Sequence, residues 1–90
     1  MPEDNPTPDE QLRARIIQAL MLDEHTMPLD LRVGVLNEIV HLTGQASSLD
    51  IWNLTERIVL GVKGVRGVVN RIEAPDAPFP GRTIHLDLPP

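Results

Sequence analysis

Cysteine is absent from this 90-residue chain, so disulfides and thiolate metal sites are excluded and cysteine usage says nothing of the redox compartment. Aromatic residues are nearly absent: Trp52 and Phe79 stand alone, and Val, Ile and Leu must build the core. No apolar run approaches the roughly 18 residues of a membrane span, so a transmembrane chain is not expected. Positive charge is scarce as well. Eight Lys and Arg face thirteen acids, for a net charge of −5. That acidity argues against a nucleic-acid binder, whose expected footprint is basic. Finally, catalytic constellations are missing. His25, His41 and His85 have no helical ligand spacing, and no nucleophile stands beside a base, so neither an enzyme nor a metal or other cofactor is expected.

Ninety residues allow one domain, which buries only about 60% of its unfolded surface. Charge is unevenly spread along it. Residues 1–30 carry Glu3, Asp4, Asp9, Glu10, Asp23, Glu24 and Asp30 against Arg13 and Arg15. The segment 57–72 carries Arg57, Lys63, Arg66 and Arg71 with no acid.

Residues 1–7 offer acids and prolines but nothing to bury, and read as a disordered tail. Thr7-Pro8-Asp9-Glu10 is a helix start, with Thr7 as N-cap, Pro8 at the first position and Glu10 closing a capping box. Leu12, Ile16, Ala19 and Leu20 then recur at helical spacing, which predicts a helix to about Leu22. Pro28 closes a loop. From Leu31 the period becomes two, predicting an antiparallel hairpin of Leu31–Leu36 with Ile39–Thr43. Its turn, Asn37-Glu38, is poor for two residues, because a left-handed Glu costs roughly 1 kcal/mol. A slightly longer loop would avoid that cost.

Ser47 or Ser48 caps a second helix, with Ile51, Leu54, Thr55, Ile58 and Val62 as its buried stripe. Gly64 is the expected end, with Gly61 as an earlier alternative. Val65–Glu73 reads as a third strand, Val68, Asn70 and Ile72 in phase on one face and Val69 and Arg71 on the other. The order helix, strand, strand, helix, strand predicts an α+β sandwich, two helices on one face of a three-stranded sheet. Residues 8–74 form that domain. Residues 75–90 are a proline-rich connector and a tail strand, Thr83–Leu88, with Ile84, Leu86 and Leu88 on one side. So short a strand should add to a sheet edge, its own or a neighbour's.

Three stretches carry a family resemblance: the helix Leu12–Leu22, the hairpin Asn37–Gly44 ending in Leu42-Thr43-Gly44, and the run Val62-x-Gly64-Val65-x-x-Val68-x-Asn70. Together, over residues 9–73, the pattern resembles the BON domain of bacterial stress-response and transport-associated proteins. The resemblance implies an α+β sandwich without catalytic chemistry, associated with phospholipid surfaces or with partner binding. The chain departs from the family in Glu38, where glycine is common, in the lack of an export signal, and in its proline-linked tail. As given, the chain is expected in the cytoplasm, or in the periplasm if cut from an exported precursor.

Two binding surfaces are expected. The basic turn after the second helix, with Arg57, Lys63, Gly64, Arg66, Gly67 and Arg71, would meet anionic phospholipid headgroups or an acidic protein surface. Alternatively, Thr83, Ile84, Leu86 and Leu88 would pair with another copy, giving a homo-oligomer. Trp52 would serve either as an interfacial anchor or as an indole closing the core's edge. The bases would otherwise form a solvated rim favouring the helix C-terminus. The three glycines would otherwise be a cap and a strand entrance, and Gly61–Gly64 also matches a nucleic-acid GXXG clamp, but a strand rather than a helix follows.

Overall fold

The computed structural model describes residues 7–77 and the backbone of the strand 82–85. Helix α1 spans Pro8–Met21, followed by strands β1 (Leu31–Leu36) and β2 (Ile39–Gln45). Helix α2 (Leu49–Leu60) and strands β3 (Gly67–Glu73) and β4 (Arg82–His85) complete the order. The α-β-β-α-β fold is therefore present, and β4 adds the extra edge strand to give the sheet order β1-β2-β3-β4. The β1–β2 hairpin is antiparallel, β2 and β3 are parallel, and β3 and β4 are antiparallel. Thr83 and Ile84 thus lie on a strand paired within its own chain, opposite Val69 and Val68. Leu86 and Leu88 lie outside the described residues.

Local chemistry explains α1. The Thr7 hydroxyl accepts from the Glu10 amide at 3.1 Å, and the Glu10 carboxylate accepts from the Thr7 amide at 3.0 Å. Two amides left unpaired at every helix start are thereby satisfied. Those bonds, the backbone one first, hold the Glu10 carboxyl below its ordinary value. Leu12, Ile16 and Leu20 are buried as the spacing predicts. The helix ends at Met21, where the buried Thr26 hydroxyl donates to the Leu20 carbonyl at 2.6 Å.

Both helices cover the same sheet face. Val33 on β1, Val40 and Leu42 on β2, and Val68 and Ile72 on β3 point into the core, with the alternate positions on the open side. Helix α2 departs from its expected stripe. Trp52, Thr55, Glu56 and Val59 are its buried residues, whereas Ile51, Leu54 and Ile58 are half-buried. Two polar bonds account for that rotation. The Trp52 indole N–H donates to the Ile72 carbonyl at 2.8 Å, and the Glu56 carboxylate accepts from Asn70 Nδ2 at 3.0 Å. Asn70 Oδ1 in turn accepts from the Ile72 amide at 3.0 Å. Periodicity could not choose this face, because Trp52 and Val59 repeat at helical spacing on a strip adjacent to that of Ile51, Leu54 and Ile58, and only tertiary contacts decide between the two.

Gly61 caps α2 in an αR conformation, a turn before Gly64, and β3 begins at Gly67 rather than Val65. Gly44 is required sterically: its φ is +136°, and a Cβ there would lie 2.6 Å from the Asp30 carbonyl oxygen.

Replacing Asn70 by Ala should lower stability by about 2–3 kcal/mol, because a buried carboxylate loses its donor. Asn70→Asp should cost more by setting like charges together, and urea unfolding would rank the two. The capping box predicts a pH effect. The Glu10 carboxyl has a lowered value in the folded state, so its contribution is present above the unfolded value and is lost as pH falls through the folded one. Thermal unfolding of Glu10→Gln should show a correspondingly weaker loss in acid.

Candidate functional site

Parallel pairing puts the starts of β2 and β3 side by side, Ile39 opposite Gly67. The segments before them, the turn Asn37-Glu38 and the loop 61–66, therefore meet at one end of the sheet. The first residues of α1 reach the same end.

The hairpin turn has two residues after all. Asn37 and Glu38 both have positive φ, 52° and 67°, in place of the expected longer loop. The cost is offset by contacts from elsewhere in the chain. The Asp9 carboxylate accepts from the Asn37 amide at 2.9 Å and from the Glu38 amide at 3.1 Å. The Glu38 carbonyl accepts from the Arg66 amide at 2.9 Å. Charge-assisted bonds of this kind are about twice as strong as neutral ones. A glycine at position 38 is unnecessary because α1 clasps the turn.

The loop is equally constrained. Val65 is buried beneath it, and Gly64 adopts a φ of +102°. A Cβ on Gly64 would lie 3.5 Å from Leu12 Cδ1 and 3.9 Å from Arg15 Nη2, so α1 runs beside it. Lys63 is exposed and makes no hydrogen bond or ion pair among the described residues. Arg66 is exposed and lies 3.8 Å from the Glu38 carboxylate, a long surface pair of small energy.

The structure divides the expected basic site. Lys63, Gly64 and Arg66 stay together at the turn. Arg57, exposed in the last turn of α2, lies one helical turn before the cap. Gly67 is buried, so its backbone is closed to a ligand. Arg71 lies four residues along β3, on the open sheet face opposite Thr43. Trp52 is corrected too. At 1% exposure, with its N–H engaged by Ile72, it is a core residue and no interfacial anchor. Conversely, Arg15 joins the turn unforeseen. It lies some fifty residues away in sequence, and no spacing rule connects it to Gly64.

Among the described residues, no helix is long and apolar enough to cross a membrane and no group of three potential metal ligands occurs.

A profile of the BON domain family matches residues 8–76 of the chain. Among curated proteins no sequence match was found. The geometry explains the shared pattern in structural terms. Val65 fills the space beneath the loop, Val68 enters the core, and Asn70 joins β3 to α2 through Glu56.

If the Asp9 clasp sustains the turn, Asp9→Ala should cost about 1–3 kcal/mol. Glu38→Gly relieves left-handed strain, so it should cost less than half of that or be stabilising. Chemical denaturation of both variants checks the pair of outcomes.

Proposed function

The chain belongs to the BON domain family, and we propose that it attaches to an anionic surface through the turn that follows α2. That surface is an array of phospholipid headgroups or the acidic face of a protein. The observation that carries this reading is the exposed Lys63, without a partner among the described residues, on a turn tied down by the buried Val65 and the Arg66–Glu38 backbone bond. Arg66 and Arg15 flank it. Two acids lie at the same end: Asp9, held by two backbone amides, and Glu38, 3.8 Å from Arg66, both of which keep their charge and limit the strength of the attachment. Near an anionic membrane each base contributes about 1 kcal/mol, so three bases support a modest, salt-sensitive attachment. A rigid platform lowers the entropy lost on binding.

Assembly through the tail strand is the less favoured reading. Strand β4 already pairs with β3 of its own chain, so pairing with another copy requires that ladder to exchange.

Co-flotation with vesicles tests the attachment. The chain should float with anionic vesicles and remain behind with neutral ones, and moderate salt should weaken the association. Combined Lys63→Glu and Arg66→Glu should abolish it. Absence of flotation at low salt excludes the lipid target, and loss of binding on deletion of residues 75–90 alone would transfer the function to the tail.

A further inference from the structure

We propose that the apolar groove between α1 and β1 binds a second copy of this chain, in a weak two-fold dimer whose α1 helices run antiparallel. Ile17, Leu20 and Met21 line the groove from α1, Leu31 and Val33 from β1, and Met27 from the loop between them. Its volume is about 60 Å³, room for one aliphatic side chain. Because β1 is an outer strand of the sheet, the groove opens at the side of the molecule.

Apolar exposure is concentrated at this groove. Met21 is 56% and Met27 51% exposed, and Leu22, next to Met21, is 80% exposed. Among the described residues the other large exposed apolar side chain is Leu36, at the far end of β1. Single apolar side chains are ordinary on a surface, whereas three around one groove form a patch of the kind that marks an interface. Methionine arms are flexible and polarizable, and repack readily against an opposing surface.

Two observations select a second copy as the occupant. Knob and hole lie on the same surface, since Met21 and Met27 stand at the groove that the methionines of a twin would enter. Such a surface is self-complementary under a two-fold axis. Charge adds a direction. Arg13, Ile17 and Met21 follow one another at four-residue spacing along one side of α1, and Asp23 and Glu24 come directly after the helix. The patch thus has a base at one end and acids at the other, about 15 Å away along α1. An antiparallel two-fold through the middle of the groove brings Arg13 of each copy level with Glu24 of the other, and a parallel arrangement would set like charges together. Arg13 Nε donates to the Val33 carbonyl at 2.7 Å, which holds the side chain beside the groove and leaves further guanidinium N–H groups for a carboxylate. Glu24 is 86% exposed at its side chain, with His25 4.0 Å away, whereas Asp23 already accepts from the His25 amide at 2.8 Å. A patch of this kind covers on the order of 400 Å², against roughly 800 Å² per partner in a stable complex. The dimer therefore depends on concentration. It uses side chains rather than strand exchange, and it is independent of the turn bearing Lys63.

Sedimentation velocity of the full chain between about 10 µM and 1 mM tests the proposal, and a passage from monomer to dimer is expected within that range. Met21→Gln with Met27→Gln keeps side-chain length, removes apolar character and should weaken association at least about tenfold. Arg13→Glu alone and Glu24→Arg alone should each weaken it about fivefold. Mixing those two single variants should recover a heterodimer, because both contacts again join opposite charges, and a variant that had merely misfolded would not be rescued. Lys63→Glu and Leu86→Asp should leave the equilibrium unchanged. Loss of the dimer in Leu86→Asp would transfer association to the tail strand. Insensitivity to the methionine pair, or failure of the mixed variants to associate, overturns the proposed face. A chain that stays monomeric throughout overturns self-association and leaves the groove to a different apolar partner.

Discussion

The parallel pairing of β2 with β3 is the constraint on which the rest of the molecule depends. Parallel neighbours cannot be joined by a tight turn, so the chain must cross over the sheet, and α2 is that crossover. The crossing places both helices on one face and leaves the other open. It also puts the entrances of two strands at one end, where a strained hairpin turn, a glycine-containing loop and the start of α1 come together. Antiparallel order throughout would have separated them. The Trp52–Ile72 and Glu56–Asn70 bonds fix the rotation of the crossover helix, and with it the direction in which the loop leaves.

Charge acquires meaning only within this geometry. Four bases between residues 57 and 72 look like one patch in the sequence, but the fold distributes them over three surfaces. Arg57 remains on the outer helix, Lys63 and Arg66 occupy the turn, and Arg71 faces out from the open sheet. The acids are redistributed in the same way. Asp9 suits a helix start by its charge, yet it also binds two amides some thirty residues away.

The fold also manages its exposed edges. At the β1 edge, Arg13 Nε donates to the Val33 carbonyl at 2.7 Å. That bond occupies a backbone group that another strand could otherwise use, a common means of blunting an edge. At the other side β4 covers β3. Together these contacts occupy backbone groups of β1 and β3 that would otherwise lie at a sheet edge.

Much of the architecture was legible in the residues themselves. Thr7, Pro8 and Glu10 mark the start of α1 because capping is local chemistry. The alternation of Leu31, Val33 and Val35 marks a half-buried strand because side chains alternate across a sheet. The phase of Val68, Asn70 and Ile72 likewise follows from the two-residue period. The family pattern was legible as well, since its glycine and valines serve the loop and the core. Tertiary structure alone decided the buried face of α2, the closure of Gly67, the burial of Trp52 and the arrival of Arg15 beside Gly64. It alone made Asn37-Glu38 a two-residue turn, through an acid remote in sequence. Periodicity reports which residues share a face of one element. Which faces meet, and which charges are thereby paired, depends on contacts between residues far apart in the chain.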